Sequence, residues 1–333
     1  MNCMERIRPK DIKYKVVSLF SGIGGFDLGF SYAGFNLIWA NDFDKFACET
    51  YKANVGANIC LGDIREQKAN IPSHDIVIAG FPCQPFSTLG KLEGFNDEER
   101  GTLFFEIKEI LKKYNTKVVV LENVKNIMNH DEGKTFERIL HELELLGYSC
   151  FYHVFNSADY GVPQRRNRCY ILGFRNDYFY THKFDFPEKQ PLTITTQDIL
   201  DGDVPETYFL SKKIVKTILG HGTKNYIVKP TIDLPISKTL TATMAKMHRA
   251  SQDNYVTDDI NFKKYCNPDK KVNIRKLTPN ECRKLQGFPS DWKQVVSDCQ
   301  AYKQFGNAVT VNVSFALATA LMKYIDDNKK PNW

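Results

Sequence analysis

The 333-residue chain is predicted to be an α/β protein with a doubly wound, mostly parallel sheet and a smaller, irregular, β-rich second domain. In the first half, short apolar runs alternate with amphipathic segments, a pattern typical of a parallel sheet covered by helices on both faces. After about residue 180 the alternation stops, and prolines separate short runs rich in Thr and Ile.

The predicted strands are short apolar runs, most of them rich in the β-branched residues that favour strands. They cover residues 16–20, 37–40, 76–79, 117–121 and 169–174. Segments with helical periodicity lie between most of these runs. The predicted helices cover residues 25–33, 43–53, 103–114 and 135–146.

The second half of the chain has a basic bias and fewer regular elements. Helical patterning returns near its end, and residues 309–324 form a long helix with an apolar face that we expect to pack on the first domain. The predicted divisions are a first domain at 1–184, a second at 185–272, a hinge at 273–300 and a returning helical segment at 301–333.

The composition predicts an ordinary globular protein in a reducing compartment. Hydrophobic residues make up 42% of the chain and charged residues 25%, and the net charge of +6 is compatible with a polyanionic partner. The nine cysteines form no paired or zinc-type spacing, so we expect reduced thiols and no bound metal. The pattern predicts neither a signal peptide nor a membrane span, and we expect a cytoplasmic protein.

A glycine-rich turn follows the first predicted strand. Gly22 and Gly24 match two positions of the dinucleotide fingerprint G-x-G-x-x-G, but Asp27 occupies the third. Glycine lets the backbone approach a ligand closely and adopt positive φ. The turn therefore suits a nucleoside, and the missing glycine favours an adenosyl ligand without phosphates.

Three residues after later strands complete the predicted nucleoside pocket. Asp42 lies twenty residues beyond Gly22, which is the spacing of a carboxylate that binds ribose hydroxyls. Phe43 is placed to stack on adenine, and Asp63 is placed to accept from the adenine amino group.

Two predicted strand ends carry reactive groups. Cys83 follows the strand at 76–79, and the preceding Pro82 restricts the backbone that aims its sulfur. Glu122 directly follows the next strand. Because the carboxyl ends of parallel strands meet at one edge of a sheet, we expect Cys83 and Glu122 to act together.

A thiolate, a carboxyl group and an adenosyl methyl donor together suit methylation of cytosine at C5. Addition of the Cys83 thiolate to C6, with Glu122 carrying a proton at N3, creates an enamine that accepts a methyl group at C5. The arginines of residues 164–168 are placed to support the thiolate and to hold the base and adjoining phosphates. The alternative interpretation of these arginines is a solvated basic patch.

Ten motifs occur in order along nearly the whole chain. They are Leu19–Gly25, Asn41–Asp42, Gly62–Ile64, Gly80–Ser87, Arg100–Phe104, Glu122–Val124, Gln164–Arg168, Lys276–Cys282, Gln286–Pro289 and Gly306–Val309. In this set and order the chain resembles the C5-specific DNA cytosine methyltransferases of bacterial restriction–modification systems. The resemblance implies the Rossmann-like fold of S-adenosylmethionine-dependent methyltransferases.

The resemblance also implies roles for the matching residues. The catalytic residues are Cys83, Glu122, Arg166 and Arg168. The residues that bind S-adenosylmethionine, or its product S-adenosylhomocysteine, are Phe20, Gly22, Ile23, Gly24, Asp42, Phe43, Asp63, Ile64, Pro82, Leu103, Asn307 and Ala308. The residues that bind DNA are Ser87, Lys91, Arg100, Gln164, Arg165, Thr239, Leu240 and Arg249.

In the family, the target base is flipped out of the duplex, since C6 of a stacked base cannot be reached. Residues 87–100 then resemble a loop that closes over double-stranded DNA, and residues 185–272 would be the target-recognition domain. Residues 238–242 resemble its short Thr-Leu element, although an ordinary β-hairpin is an equal alternative. We expect a monomer whose functional partner is a cognate restriction endonuclease.

Three alternatives stay open at this point. A relative in the same family methylates tRNA with the same active-site parts. A nicotinamide oxidoreductase would use the glycine turn and Asp42 but would give Cys83 no task. A non-catalytic DNA-binding regulator would need neither Cys83 nor Glu122.

Overall fold

The computed structural model describes residues 11–82, 103–220, 222–223, 226–227, 230–245 and 252–333. These residues divide into two compact units. The first unit holds the described residues of 11–155, 167–188 and 313–333, and the second holds those of 156–166 and 189–312. The second unit contains the expected second domain except residues 185–188, and it also contains residues 156–166, the expected hinge and residues 301–312. The roles assigned to the domains stay predictions.

A seven-stranded sheet forms the centre of the first unit. Its strands are β1 (Lys13–Leu19), β2 (Phe35–Asp42), β3 (Ile59–Leu61), β4 (Ile76–Gly80), β5 (Val118–Val124), β6 (Tyr148–Asn156) and, after the short β7 (Gln164–Arg165) of the second unit, β8 (Asn167–Arg175). The order is β3-β2-β1-β4-β5-β8-β6. Strands β1 to β5 pair in parallel, and β8 pairs antiparallel with β5. The predicted α/β class with a mostly parallel sheet is confirmed.

Five helices alternate with these strands in the first unit. They are α1 (Gly25–Tyr32), α2 (Lys45–Asn54), α3 (Ile64–Gln67), α4 (Leu103–Lys113) and α5 (Lys134–Leu145). Consecutive residues of β4, Ile76 and Val77, point to opposite faces of the sheet and are both fully buried. Burial on both faces explains why the central strands are continuous apolar runs without a polar alternation.

The strands that the sequence did not predict lie at the two edges of the sheet. β3 is three residues long, and β6 is half exposed along most of its length and contains Ser149, His153 and Asn156. An edge strand needs fewer apolar residues because one side lacks a neighbour and water reaches it. The apolar pattern used for the prediction is therefore weakest at these two strands.

The second unit contains short strands and helices. The strands are β7, β9 (Phe209–Ser211), β10 (Gly222–Thr223), β11 (Tyr226–Ile227), β12 (Ser237–Lys238), β13 (Tyr255–Thr257) and β14 (Lys271–Lys276). The helices are α6 (Lys212–Ile218), α7 (Asp259–Tyr265), α8 (Pro279–Leu285) and α9 (Asp298–Asn307). The strands form sheets of two or three strands, which agrees with the irregular, β-rich pattern of the sequence.

A buried ion pair joins β14 to α8 in the second unit. The guanidinium of Arg275 on β14 is fully buried and donates to both carboxylate oxygens of Glu281 on α8, at 2.8 and 2.9 Å. The same carboxylate accepts from the backbone of Thr278 and completes a capping box at the start of α8. Arg275 also pairs through its Nε with Asp258 at 2.7 Å, so removal of Glu281 would leave it one carboxylate, whereas removal of Arg275 would leave the buried Glu281 without this cationic partner.

The C-terminal helix α10 (Val311–Asn328) packs against α1 within the first unit. Ser314 Oγ donates to the carbonyl oxygen of Phe26 at 2.7 Å, and Gly29 lies directly under Ser314. Residues 298–328 are long and apolar enough to cross a membrane by length and composition, but 61% of the most apolar window is buried inside the protein.

We predict that Gly29→Ala destabilises the protein by about 1–3 kcal/mol through overpacking. A Cβ at this position would lie 2.3 Å from Ser314 Oγ and 2.5 Å from the backbone nitrogen of Phe315, so α10 would have to move. Urea denaturation measures the change in the free energy of unfolding. The matched control is Gly202→Ala, since a Cβ there has nothing within 4 Å. Equal stability of the two variants would contradict this account of the helix contact.

Candidate functional site

The parallel strands of the first unit end in register, so that their carboxyl ends form one edge of the sheet, which is distinct from the edges formed by the outer strands β3 and β6. Leu19 at the end of β1 pairs with Asn41 on β2 and Ala79 on β4, and Gly80 pairs with Glu122 on β5. The segments that follow these strands therefore leave the sheet side by side. The predicted cofactor residues of the first unit and Glu122 are all in or near these segments.

The turn after β1 has the backbone conformation that its glycines predict. Gly22 and Gly24 have φ angles of 56° and 87°, and Phe20, a residue with a side chain, also has a positive φ of 55°. A Cβ on Gly24 would lie 2.7 Å from Val55 and 3.0 Å from the ring of Tyr51, so the turn also needs glycine there for space. Ile23, between the two glycines, is buried.

Asp42 joins this turn to the end of β2. Its Oδ2 accepts from the backbone nitrogen of Gly22 at 2.8 Å, and its Oδ1 accepts from the backbone nitrogen of Asp44 at 2.8 Å. These bonds fix the carboxylate next to the glycine turn, which is the placement that the sequence spacing predicted. Its role on ribose hydroxyls stays a prediction.

The other cofactor candidates lie at the same edge. The ring of Phe43 is 75% exposed and is thus available to stack on a planar ligand. Asp63 caps α3, where its Oδ1 accepts from the backbone nitrogen of Arg65 at 2.9 Å, and the following Ile64 is buried. The exposed Pro82 follows β4, and the partly buried Leu103 begins α4.

The strand end before the predicted nucleophile is held by Asn123. Its side-chain nitrogen donates to the carbonyl oxygen of Phe81 at 3.0 Å, and this bond is buried between β4 and β5. Sequence reasoning gave Asn123 no role of its own, although its place directly after Glu122 was a usable signal.

Cys83 lies outside the described residues, as do Ser87, Lys91 and Arg100.

Glu122 and Arg168 form an ion pair, with Arg168 Nε 3.1 Å from Glu122 Oε1. The two residues lie on the neighbouring antiparallel strands β5 and β8, where Val124 is the direct partner of Arg168. Both side chains are largely buried. The contact orients the Glu122 carboxyl group and brings together two of the predicted catalytic residues.

Arg166 has surroundings that the sequence did not predict. Its guanidinium is buried in the second unit and donates to the carbonyl oxygens of Leu240 at 3.2 Å, Gly306 at 3.2 Å and Ala308 at 2.7 Å. These bonds join the Thr-Leu element to the end of α9. These contacts give Arg166 a structural role and argue against the alternative of a solvated basic patch at this residue; its predicted catalytic role stays a prediction.

The predicted DNA contacts of the second unit separate into buried and accessible residues. Gln164 is fully buried and joins two segments, accepting from the backbone nitrogen of Leu240 at 3.0 Å and donating to the carbonyl oxygen of Leu285 at 2.9 Å. The side chain of Leu240 is also buried. Neither side chain can therefore reach DNA in this conformation, because each is enclosed by protein.

Arg165 and Thr239 remain accessible in the second unit. Arg165 is exposed, and Thr239, which is partly exposed, donates from its hydroxyl to the Arg165 carbonyl oxygen at 2.6 Å. The parallel pairing of β7 with β12 places these residues next to each other. Arg249 lies outside the described residues.

Two cofactor candidates lie at the end of α9 in the second unit, where Asn307 is the last helical residue and Ala308 follows it. Asn307 is exposed, whereas Ala308 is buried and uses its carbonyl oxygen to accept from Arg166. Their contact with a cofactor stays a prediction. Within the described ranges, no group of three or more His, Cys, Asp or Glu residues is arranged to hold a metal ion.

Comparison with known proteins gives a consistent result. The family model for C-5 cytosine-specific DNA methylases matches residues 14–323. The type II methyltransferase M.SsoII of Shigella sonnei is 39% identical, with 94% of this chain and 81% of that protein covered. The type II methyltransferase M.HhaI of Haemophilus parahaemolyticus is 38% identical, with coverages of 90% and 91%.

Solved structures with low sequence identity share the fold. The Dnmt2 methyltransferase of S. pombe matches with a TM-score of 0.70 at 20% identity, and 93% of this chain and 98% of that chain are covered. The Entamoeba histolytica methyltransferase EhMeth matches with a TM-score of 0.66 at 20% identity, with coverages of 96% and 99%. At this identity the likeness concerns the fold alone.

We predict that Arg166→Lys lowers the free energy of unfolding by at least about 2 kcal/mol. A single ammonium group cannot replace the planar fork of the guanidinium, and a buried carbonyl left without a donor costs about 1–3 kcal/mol. Urea denaturation measures this loss. The control is Arg165→Lys, an exposed neighbour for which a change within about 0.5 kcal/mol is expected. A similar small change for Arg166→Lys would contradict the structural role.

Proposed function

Because the chain belongs to the C-5 cytosine-specific DNA methylase family and is a DNA cytosine-5-methyltransferase, we propose that it acts on a specific duplex DNA sequence through a flipped-out base and a covalent bond to Cys83. Family membership implies S-adenosylmethionine as the methyl donor. The observation that best supports the proposal is the ion pair between Arg168 and Glu122. Glu122 is the direct strand partner of Gly80, and Cys83 follows Gly80 by three residues in the sequence.

The residues at the edge of the first unit fit the donor. Positive φ angles at Gly22 and Gly24 open the backbone of the turn, Asp42 supplies a fixed carboxylate and Phe43 an exposed ring. In the proposal, these groups bind the sugar and the adenine, and Asp63 and Ile64 border the adenine. When bound, S-adenosylmethionine supplies an electrophilic methyl group.

The proposed chemistry begins with addition of the Cys83 thiolate to C6 of the target cytosine. Glu122 carries the proton that is shared with N3, so the electron pair of the C5–C6 double bond becomes available at C5. After C5 has gained its methyl group, the C5 proton passes to solvent, the proton shared with N3 returns to Glu122, and expulsion of the thiolate restores the aromatic ring. Arg168 contributes by holding Glu122, and Asn123 by fixing the strand end that leads to Cys83.

The proposal extends to the cellular role. The relatives reported above are type II methyltransferases, and a chain with this function would protect DNA from a cognate restriction endonuclease. We propose a cytoplasmic monomer, because one methyl transfer to one strand needs a single active site. Arg165 and Thr239 are the accessible candidates for DNA contacts among the described residues of the second unit.

We predict that duplex DNA with 5-fluorocytosine at the target position becomes covalently attached to the protein. Fluorine cannot leave C5 as a cation, so the thiolate cannot be expelled after methylation. Denaturing gel electrophoresis detects the adduct. Cys83→Ser should abolish it while calorimetry still measures binding of S-adenosylmethionine, and an adduct of unchanged yield would identify a different nucleophile.

A second experiment separates duplex DNA from tRNA as the substrate. We predict that tritiated methyl groups are incorporated into plasmid DNA from cells without cytosine methylation at least about 100-fold faster than into tRNA from the same cells. The basis is that a dedicated surface is needed to read a DNA sequence, and we propose that the second unit, with the accessible Arg165 and Thr239, supplies it. Bisulfite sequencing of the product identifies the methylated sequence. Faster methylation of tRNA would overturn the proposed substrate.

A further inference from the structure

A fully buried carboxylate lies beneath the glycine turn. Asp27 is on α1 at the position where the dinucleotide fingerprint has its third glycine, and none of its surface is exposed. Its Oδ1 accepts from the hydroxyl of Tyr51 on α2 at 2.8 Å, and its Oδ2 accepts from the hydroxyl of Ser18 on β1 at 3.0 Å. The Asp27 side chain thus joins α1 to β1 and to α2. The glycine turn lies between β1 and α1, and Phe43 directly precedes α2.

The hydrogen bonds continue from Asp27 into the turn. Ser21, the residue before Gly22, lies with its Oγ 2.8 Å from Ser18 Oγ and 3.1 Å from the Ser18 carbonyl oxygen. The backbone nitrogen of Gly24 then donates to the Ser21 carbonyl oxygen at 2.9 Å. Tyr51 also contacts the turn directly, since its ring fills the space where a Cβ of Gly24 would lie.

This arrangement accommodates both protonation states of Asp27. With an ionised carboxylate, Ser18 donates to Asp27 and Ser21 donates to Ser18. With a protonated carboxyl, Asp27 donates to Ser18, Ser18 to Ser21, and Ser21 to the Ser18 carbonyl oxygen, all over the distances already observed. Protonation therefore changes the charge under the turn and reverses the hydrogen bonds without requiring new contacts.

Burial raises the pKa of Asp27 to about 6, while hydrogen bonds from Tyr51 and Ser18 act in the opposite direction. Two titratable groups face it from the neighbouring elements. They are Tyr51 on α2, whose pKa burial raises well above its ordinary value, and Asp42 at the end of β2, whose charge adds to the rise for Asp27. With a pKa of about 6, Asp27 changes its charge between pH 5 and pH 8.

We infer that Asp27 is the positioning residue of the glycine turn and that its carboxylate charge makes the turn prefer the cationic methyl donor over the neutral product. The inference rests on the proposed cofactor site. S-adenosylmethionine carries a positive sulfonium that S-adenosylhomocysteine lacks, and a buried negative charge attracts it with little screening by water. Ionisation of Asp27 would strengthen donor binding and leave product binding nearly unchanged.

Calorimetric titration of the full chain with each ligand between pH 5 and pH 8 tests the inference. For the unaltered protein, the ratio of product Kd to donor Kd should rise at least about threefold over this range. Asp27→Asn retains the acceptor for Tyr51 and the donor for Ser18 but has no charge, so its ratio should stay constant. Asp27→Leu removes the hydrogen bonds and should weaken both ligands. Glu49→Gln, an exposed carboxylate on α2, is the control and should behave as the unaltered protein.

Thermal unfolding without ligand gives a readout that does not depend on the cofactor site. The pKa of Asp27 in the folded state lies above its ordinary value of 3.8, so its contribution to stability is present below about pH 3.8 and is lost as the pH rises through about 6. Asp27→Asn should lack this loss. Absence of donor binding by the unaltered protein would overturn the proposed function. Identical pH profiles of the Kd ratio for the unaltered protein and Asp27→Asn would overturn the inference alone.

Discussion

The in-register parallel pairing of the central strands is the constraint on which the site of the first unit depends. Gly80 and Glu122 are direct partners, as are Leu19 and Ala79, so the chain leaves three neighbouring strands at one level. A shift of one residue in either pairing would turn the side chains of a strand to the opposite face. Burial of both faces of β4 makes such a shift costly, because apolar residues fill both sides.

Hydrogen bonds between neighbouring strand ends then convert this common edge into a fixed arrangement of functional groups. Asp42 connects β2 to the glycine turn, Asn123 connects β5 to the end of β4, and Arg168 on β8 holds Glu122 on β5. Each contact links strands that are adjacent in space but 20 or more residues apart in sequence. The precision of the site therefore comes from long-range contacts, although its residues are recognisable one motif at a time.

The sequence predicted the features that depend on a residue's own chemistry. It did not predict the burial of side chains whose partners are distant in the sequence. Gly22 and Gly24 were predictable because positive φ restricts the residue type at the turn itself. Burial of Gln164 and Leu240 was not, since the backbone groups that Gln164 binds come from residues 240 and 285. A glutamine beside arginines in a basic motif is typical of a DNA-binding surface, and only the folded chain reveals that its amide joins two protein segments.

Arg166 and Arg168 illustrate how one short motif serves two structural units. The chain passes from the second unit to the first between residues 166 and 167. Arg166 binds three carbonyl oxygens in the second unit, whereas Arg168 pairs with Glu122 in the first. Carbonyl oxygens and a carboxylate both favour a cationic donor, so the two positions require the same residue type for different reasons. Two residues of the same type in one motif therefore need not have the same role. The contacts of each residue must be known before that residue is assigned to catalysis.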